Sequence, residues 1–310
     1  MYNNLNKIVA AIRESNDKGA LIDRNDVLTG YSGEALFGTL QRLSKEILTD
    51  DTCYVEVGVF QGLTLLSSAL AAPQQNFYGI DNFAFFDKGG KNEQLIKNRI
   101  SKLNLNNVHL INNDYEDALE NLKNYIGNKK VAIYFIDGPH DYRSQMMCLL
   151  LIKPYLADNA VILIDDSNYR HVRQANRDFL VSHPEFKLLY QSYSKAHPSN
   201  LSADETKDVR KNWWNGINII YKDNSNELAP FLPDTIRDRN IYENENNLHA
   251  AQYPEQLLLL WKIAKKLWIF PLLNLIKNPK EIFKGKYRSC NTFSDKLPIN
   301  DMNISIPENI

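Results

Sequence analysis

Short apolar runs alternate with longer mixed stretches through the middle of this chain. From residue 53 onward the runs are rich in Val, Ile, Leu and aromatic residues: CYVEVGV (53–59), NFYGID (76–81), VHLIN (108–112), VAIYFID (131–137), AVILID (160–165), FKLLY (186–190) and INIIY (217–221). Stretches long enough for a helix separate the earlier runs, at 62–72, 92–103, 116–126 and 142–155. This alternation predicts an α/β fold with a doubly wound, mostly parallel sheet that helices cover on both faces.

The pattern changes at both ends of this region. Residues 1–50 repeat apolar positions at helical spacing and predict an N-terminal helical cap, whereas 51–222 carries the strands. Residues 191–216, between the last two runs, are polar, and we expect a loop there rather than a helix. From 223 to 310 the alternation is lost. This part predicts a C-terminal extension with an amphipathic helix in 257–276, cut by Pro271, and a weakly ordered tail from Ser289.

The composition is that of an ordinary globular protein. The chain has 310 residues, 44% of them hydrophobic and 24% charged, and its formal net charge of -1 gives no general attraction to nucleic acid.

The three cysteines, Cys53, Cys148 and Cys290, are far apart in the sequence and form no CxxC pair for zinc. An odd number of cysteines favours a reducing compartment. The first residues lack the continuous apolar core of a signal peptide. We therefore expect a cytoplasmic protein.

The first run leads into a glycine turn, EVGVFQG (56–62). Such a turn brings backbone N–H groups and a helix N-terminus to the carboxyl edge of the sheet, where nucleotide-like ligands bind. Phe60 and Leu63 stand at the later glycine positions of a GxGxxG motif, and no GK[ST] follows, so neither a dinucleotide site nor a P-loop is predicted. Glu56, two residues before the first glycine, would repel a pyrophosphate but accept hydrogen bonds from an ammonium group or a ribose. The ligand indicated is nucleoside-like and positively charged.

Acidic residues also end the second and third runs. Asp81, followed by Asn82, comes about twenty residues after the glycine turn, where an aspartate can bind ribose hydroxyls. Asp114 and Tyr115 end the third run and are placed to flank an adenine. For Asp114 an N-cap of the following helix is an equal alternative, because aspartate is a preferred N-cap residue. For Glu56 and Asp81, which occur together in this order, we favour ligand binding.

The fourth and fifth runs end in a group of carboxylates. Asp137 follows one run, and Asp165 and Asp166 follow the other; as neighbouring strands, these would converge at one sheet edge. Unpaired, the three carboxylates would repel each other, and a hard divalent cation such as Mg²⁺ or Ca²⁺ would relieve this. The alternative is that some cap helices or pair with nearby arginines: Arg143, Arg170 and Arg173. His140, in the same loop as Asp137, is a candidate general base, with Asp141 as a residue that orients it.

These residues resemble the class I S-adenosylmethionine-dependent methyltransferases, and more closely the metal-dependent O-methyltransferases of the macrocin, catechol and caffeoyl-CoA type. The matching segments are EVGVFQGLT (56–64), GIDNF (79–83), NDY (113–115), FIDGPHDY (135–142) and LIDDSNY (163–169). They cover residues 50–222 in the family's order and spacing. The resemblance implies a Rossmann-like sheet of seven strands in a methyltransferase domain at 51–222, with the last strand, 217–221, antiparallel.

The resemblance also implies a role for each matching residue. The cofactor S-adenosylmethionine would lie against Glu56, Gly58, Gly62, Thr64, Asp81, Asn82, Asp114 and Tyr115. Mg²⁺ would be coordinated by Asp137, Asp165 and Asp166, and the catalytic residues would be His140, as base, and Asp137. The implied activity is O-methylation of a small-molecule or glycoside hydroxyl group.

Two features leave alternatives open. Trp213 and Trp214, in the 191–216 segment, either stack on a sugar or aromatic acceptor or pack on the sheet. The 257–276 segment, with Trp261, Trp268 and several lysines, suits packing on its own domain, which we favour, a membrane surface, or another subunit. We expect the protein to form a homo-oligomer. The competing function is a non-catalytic module that binds a cofactor or partner. A nucleotide-sugar dehydrogenase or a nucleic-acid methyltransferase is disfavoured, since the motifs of both are missing.

Overall fold

The computed structural model of this chain describes residues 3–84, 86–87, 89–235, 255–269 and 299–307. Eight strands in this part of the chain form one sheet: β1 (Thr52–Val57), β2 (Asn76–Ile80), β3 (Val108–Ile111), β4 (Lys130–Ile136), β5 (Leu156–Ile164), β6 (Phe186–Tyr193), β7 (Ile217–Lys222) and β8 (Ile299–Met302). Their spatial order is β3-β2-β1-β4-β5-β7-β6-β8. The order reverses at β1 and β4, so the carboxyl ends of these two strands flank the crevice in which such sheets bind ligands.

Ten α-helices complete the described part of the fold. They are α1 (Asn3–Lys18), α2 (Glu34–Ile47), α3 (Leu63–Ala71), α4 (Asn92–Lys102), α5 (Tyr115–Glu120), α6 (Lys123–Ile126), α7 (Tyr142–Ile152), α8 (Arg170–Ser182), α9 (Ala203–Lys211) and α10 (Glu255–Lys266). Two short 3₁₀ helices, Lys153–Tyr155 and Pro198–Asn200, lie between elements.

Alternate residues of the central strands enter two separate cores. Tyr54 of β1 packs with α1, α2 and α3 on one face of the sheet. Val55 and Val57 pack with α5, α7 and α8 on the other face. Because both faces are buried, the central strands are apolar throughout, as expected for parallel strands between helical layers. The predicted doubly wound α/β fold is confirmed.

The strand directions agree with the prediction, but the sheet is larger than the resemblance implied. β1 to β5 are parallel to one another, and β7 is antiparallel to both β5 and β6, as expected for 217–221. The eighth strand, β8, comes from the C-terminal segment and pairs antiparallel with β6. The expected count of seven strands is therefore wrong by one.

The eighth strand is held by a buried asparagine. The backbone N–H of Asn303 donates to Leu189 O at 2.8 Å, and its side-chain amide donates to Leu188 O at 2.8 Å and to Ala229 O at 3.1 Å. Ser305 donates back to Asn303 Oδ1 from its backbone N–H and its hydroxyl. The predicted weak order from Ser289 is thus wrong for 299–307, while 291–298 lie outside the described residues. Four residues of strand are too short to show as a pattern in the sequence.

A helix also interrupts the 191–216 segment, where only a loop was expected. Helix α9 begins with a capping box, in which the Ser202 hydroxyl accepts from the Glu205 backbone N–H and the Glu205 side chain accepts from the Ser202 N–H. None of its residues is buried. A helix without an apolar face gives no periodic signal, which explains why the expectation was wrong.

Contacts divide the chain into two compact units. The first comprises Met1–Thr235 with Cys290–Ile310, and the second comprises Ile236–Ser289, including α10. Within the second unit, the exposed side chains of α10 and the turn after it include Leu259, Leu260, Ile263 and Trp268. Pro271 and the rest of the 257–276 segment after residue 269 lie outside the described residues. No helix in the described ranges is both long and apolar enough to cross a membrane. The division of the chain at residues 50 and 222 stays a prediction.

Candidate active site

The glycine turn between β1 and α3 is fastened to the end of β2. The backbone N–H groups of Val59 and Phe60 both donate to Asp81 Oδ2 at 2.9 Å, and that of Phe83 donates to Asp81 Oδ1 at 2.7 Å. Asp81 therefore shapes the turn, besides standing at the position expected for a ribose ligand. Gly62 directly precedes α3, so the N-terminus of this helix points to the same edge of the sheet.

Gly58 is required by the neighbouring strand. Its φ is +91°, and a Cβ atom there would lie 1.9 Å from the backbone oxygen of Asp137. The Gly58 N–H donates to Ile80 O at 2.9 Å, and the Asp137 N–H donates to Val57 O at 2.8 Å. The turn that faces the predicted cofactor thus touches the loop that carries the predicted base.

Glu56 lies fully buried beneath this turn. It accepts from the Tyr54 hydroxyl at 2.5 Å and from the Thr64 hydroxyl at 2.8 Å. Burial raises the pKa of Glu56 to about 8, although both hydrogen bonds act to lower it. The two predicted cofactor residues Glu56 and Thr64 are therefore joined to each other directly.

The remaining predicted cofactor residues lie at the ends of β2 and β3. Asn82 is exposed, and its Oδ1 accepts from the Ala84 N–H at 3.1 Å. Asp114 is the N-cap of α5 and accepts from the Glu116 N–H at 2.9 Å, as in the capping alternative. Tyr115 is half-buried and donates to Glu116 at 2.9 Å. Their contact with a cofactor stays a prediction.

Two carboxylates and a histidine meet at the carboxyl ends of β4 and β5. Each of Asp137, His140 and Asp166 offers one ligand atom, and the three atoms lie within 4.8 Å of one another. Ile136 and Ile164 pair in the register of the two strands, which brings the following loops together. We call these three residues the acidic cluster.

Asp166 orients His140. The imidazole Nε2 lies 2.7 Å from Asp166 Oδ2, and the ring stacks on Tyr169 with centroids 5.3 Å apart and 9° between planes. Burial acts to lower the pKa of His140, but the Asp166 carboxylate outweighs it, so the pKa is raised. Burial likewise acts to raise the pKa of Asp166, but His140 and the Asn215 amide lower it below its ordinary value. Asp141, which we expected to orient His140, instead caps α7.

Asp165 is buried and Asp137 is half-buried, and the charge of both is poorly compensated. Burial raises the pKa of Asp137 well above its ordinary value, and the carboxyl groups of Asp165 and Asp166 raise it further. Burial and Asp166 also raise the pKa of Asp165, although its Oδ1 accepts from the Asp166 N–H at 2.8 Å. Asp165 is not among the three residues of the acidic cluster, so its role as a metal ligand stays a prediction.

The acidic cluster suits a divalent cation. Asn215 is fully buried; its Nδ2 donates to Asp166 Oδ1 at 2.7 Å, while its Oδ1 has no hydrogen-bond partner. An orphaned buried amide oxygen beside poorly compensated carboxylates is the environment that a hard cation completes. Carboxylate oxygens have further lone pairs, so the bonds of Asp166 to His140 and Asn215 leave it able to bind a cation.

Several residues around the cluster were not found from the sequence. Asn215 holds Asp166, Tyr169 stacks on His140, and His197 lies with its ring centroid 6.3 Å from that of Tyr169. Burial lowers the pKa of His197, and the Asp166 carboxylate counteracts this. Asn215 and His197 come from the 191–216 segment, which carries no strand pattern or motif. Nothing in the spacing of Asn215 and His197 along the sequence predicts that they lie near the acidic cluster.

The two tryptophans of this segment differ in environment. Trp213 is only 3% exposed, its indole N–H donates to Asn16 Oδ1 at 2.8 Å, and it packs on Tyr190. The packing alternative is therefore confirmed for Trp213. Trp214 is half-buried, with the Arg210 guanidinium 5.6 Å from its ring centroid, and it lines a cavity.

Comparison with known proteins finds a family model, a curated protein of similar sequence and several solved structures of similar fold. The family model described as a methyltransferase domain matches residues 55–167. An uncharacterized protein of Acanthamoeba polyphaga mimivirus is 30% identical over 138 residues, which are 43% of this chain and 60% of that relative's length.

Two solved structures are also similar. An O-methyltransferase from Bacillus cereus in complex with SAH is 13% identical with a TM-score of 0.49, over 69% of this chain and 97% of that one. The O-methyltransferase TomG from Streptomyces achromogenes, in complex with SAM, is 12% identical with a TM-score of 0.48, over 72% and 99%. The segment that the methyltransferase-domain model matches, residues 55–167, carries the glycine turn and the acidic cluster.

Proposed function

We propose that this chain is an S-adenosylmethionine-dependent O-methyltransferase that acts on a hydroxyl group of a small molecule or glycoside. The observation that carries the proposal is the acidic cluster of Asp137, His140 and Asp166 inside the methyltransferase domain, one backbone contact away from the glycine turn. A protein that only binds a cofactor has no need of a histidine oriented by a buried carboxylate.

The cofactor side of the site is the glycine turn with the α3 N-terminus. S-adenosylmethionine, when bound, supplies a methyl group on a positively charged sulfur. Asp81 holds the backbone of the turn in place, and the buried Glu56 contributes a carboxyl group beneath it. This arrangement supports a nucleoside-like, cationic ligand, because it offers carboxyl groups and no phosphate-binding lysine.

Asp137 and Asp166, with Asp165 behind them, are the residues that would hold Mg²⁺. A bound divalent cation would lower the pKa of an acceptor hydroxyl group as a Lewis acid. It would also compensate the buried negative charge that raises the pKa of Asp137.

His140 is the proposed base. With Nε2–H directed at Asp166 Oδ2, the neutral ring keeps Nδ1 without hydrogen, and this atom accepts the proton of the acceptor hydroxyl group. The acceptor oxygen then uses a lone pair to form the O–CH₃ bond. The S–CH₃ bond breaks as this bond forms, its electron pair stays on sulfur, and the products are a methyl ether and S-adenosylhomocysteine. Alignment of oxygen and methyl carbon contributes much of the rate.

The test is transfer of a radiolabelled methyl group from S-adenosylmethionine to a set of sugar and phenolic acceptors, with Mg²⁺ and with EDTA. We expect transfer to at least one acceptor, strongly reduced in EDTA. Calorimetry with S-adenosylmethionine and with NAD provides the second measurement. Tight NAD binding without S-adenosylmethionine binding would overturn the proposed function, whereas S-adenosylmethionine binding without transfer to any acceptor would support the non-catalytic module.

A further inference from the structure

A cavity of about 430 Å³ opens beside the acidic cluster. Its walls come from the end of β6 and the residues after it, helix α9, the turn that precedes β7, Asn16 of α1 and the first two residues of β8. Every residue that lines it lies outside 55–167, so the segment matched by the family model contributes none of the lining. We call this cavity the C-terminal pocket, because β8 supplies the part of the wall that is most distant in the sequence.

One turn connects the C-terminal pocket to the acidic cluster. Trp214 and Gly216 line the pocket, and Asn215 between them donates to Asp166 Oδ1 at 2.7 Å. The backbone continues the link, since the Asn168 N–H donates to Asn215 O at 3.0 Å and the Ser167 N–H donates to Gly216 O at 3.2 Å. Asn215 is fully buried and does not itself line the pocket, but it lies between two lining residues, contacts Asp166, and carries the unpartnered amide oxygen.

The wall combines an aromatic face, apolar side chains and neutral polar groups. Trp214 has a φ of +53°, which is a strained conformation for a bulky residue, and its N–H donates to Val209 O at 2.9 Å. Leu201, Val209 and Ile299 add apolar surface, and Asn300 adds an amide. The volume lies in the range of small-molecule sites, roughly 300–1,000 Å³.

The charges of the wall disfavour an anion. Lys195, the one cation among the lining residues, is paired with Glu205 at 3.0 Å, and Asp208 lies beside them on the same helix. A phosphate or sulfate group would find no free cation in this wall and one additional carboxylate. An uncharged ring that bears hydroxyl groups on its edge and C–H groups on its face suits the same surface, because the hydroxyls pair with amides and carboxylates and the face lies on the indole.

The C-terminal strand closes this pocket. Ile299 pairs with Tyr193 and Asn300 pairs with Ser192 in the register of β8 and β6, and Ile299 is only 8% exposed. The Tyr190 hydroxyl also bonds to the Asn300 side chain. Removal of β8 would open one wall to solvent and expose the edge of β6.

We infer that the C-terminal pocket binds an uncharged sugar ring of the acceptor, and that β8 and α9 determine acceptor specificity. This inference rests on the proposed function, because it assumes that the bound sugar belongs to the methyl acceptor. It extends the proposed function by naming the chemical class of the acceptor and the residues that select it. The sugar ring lies against Trp214, between α9 and β8, while the Asn215 turn separates it from the acidic cluster.

The test uses the full chain with ¹⁵N-labelled tryptophan, and it follows the indole resonance of Trp214, assigned with Trp214→Phe. The probes are the methyl glycosides of glucose, galactose, mannose and rhamnose, with glucose 6-phosphate and catechol for comparison. We expect at least one methyl glycoside to shift this resonance in a saturable manner. Glucose 6-phosphate should bind at least tenfold more weakly than that glycoside.

Two variants of the wall and two matched controls locate the binding. Leu201→Trp fills the pocket and Ile299→Ala removes part of the β8 wall. Leu150→Trp and Ile304→Ala make the same changes at exposed positions outside it, where Leu150 is 37% and Ile304 83% exposed. We expect both wall variants to weaken glycoside binding at least tenfold and both controls to bind like the original chain.

The outcomes separate this inference from the proposed function. If no methyl glycoside shifts Trp214, or if the wall variants bind like their controls, the pocket assignment is overturned. If glycosides bind here but no methyl group is transferred, the pocket assignment stands and the proposed function fails. If catechol is methylated equally well by all four variants and no glycoside binds, the proposed function stands and the pocket assignment fails.

Discussion

Nε2 of His140 lies 2.7 Å from Oδ2 of Asp166, and this pair joins the loops after two neighbouring parallel strands. The contact gives the histidine a defined tautomer and raises its pKa despite burial. It also ties the predicted base to a predicted metal ligand. Base strength and cation binding are therefore expected to depend on the same carboxylate.

Replacement of the base tests this arrangement most directly. His140→Gln removes the group that takes the acceptor proton, so methyl transfer should fall by about 10²–10⁴-fold. Binding of S-adenosylmethionine by calorimetry should stay within about twofold, because His140 lies on the acceptor side of the glycine turn. His109→Gln is the matched control: His109 is exposed on β3 and stacks on Tyr78. Equal transfer by both variants would contradict the role of His140.

Cation binding should appear in the free energy of unfolding as well as in activity. Mg²⁺ that binds only the folded chain stabilises it, by about 2.7 kcal/mol at a concentration one hundred times Kd. Asp137→Asn should lose this gain. Without Mg²⁺ at neutral pH the variant should be at least as stable as the original chain, because burial and neighbouring acids disfavour the ionised carboxyl group. Asp51→Asn, at an exposed turn, is the control. Equal stabilisation of all three proteins by Mg²⁺ would argue against a site at Asp137.

Glu56 should make the stability of the cofactor-free protein depend on pH. The folded chain holds the Glu56 proton with a pKa of about 8, against an ordinary value of 4.5. Between these values the folded state binds more protons than the unfolded state, so the contribution of Glu56 is complete below pH 4.5 and is lost as pH rises through 8.

Glu56→Gln removes this dependence. The unfolding free energy of the variant minus that of the original chain should rise across this window, by at most about 1.4 kcal/mol per pH unit. Urea titrations at several pH values measure the difference. A constant difference from pH 4.5 to 8 would show that the carboxyl group titrates normally.

Gly58→Ala should damage both the fold and the acidic cluster. The new methyl group would lie 1.9 Å from the Asp137 backbone oxygen, so the loop after β4 has to move. Gly90→Ala is the control for backbone strain alone, because Gly90 has a φ of +64° and no atom within 4 Å of the new Cβ. The control should lose about 1–2 kcal/mol. The Gly58 variant should lose distinctly more, together with its Mg²⁺ response, and equal losses would refute the close approach.

Asn303→Ala should release the C-terminal strand. The change leaves the carbonyl groups of Leu188 and Ala229 and the N–H of Ser305 without the partner that Asn303 provides, at a cost of about 2–3 kcal/mol. Amide exchange in β6 should accelerate as well. Asn224→Ala, at an exposed turn, is the control and should change stability by about 0.5 kcal/mol or less. An unchanged exchange rate in β6 would mean that β8 is held by other contacts.

The sequence was most informative where strands are buried on both faces. Continuous apolar runs predicted strands from β1 to β7, and acidic residues after four of them predicted one functional edge. Parallel neighbours deliver their carboxyl ends to the same side, which is why Asp137 and Asp166 could be expected to meet. The capping alternative for Asp114 was equally visible, and the structure has that cap.

Analysis of the apolar pattern gave no information about helices and strands whose apolar residues do not recur at regular spacing. Helix α9 has no buried residue, and β8 is four residues long, so neither carries a pattern that sequence alone can detect. His197 lies between β6 and α9, and Asn215 lies between α9 and β7. Their positions depend on contacts between segments that are distant in the sequence.

By itself, the sequence determined the α/β class, the glycine turn and the sheet edge at which acidic side chains gather. These follow from local periodicity and from the residues at strand ends, which are properties of short segments. Only the tertiary structure shows that Asp166 rather than Asp141 contacts His140. It also shows that Asp81 accepts hydrogen bonds from the glycine turn and that β8 forms part of the wall of a pocket near the cluster. The sequence offers several carboxylates of similar chemistry as hydrogen-bond acceptors. The packing of distant segments determines which of these carboxylates come within hydrogen-bond distance of a given donor.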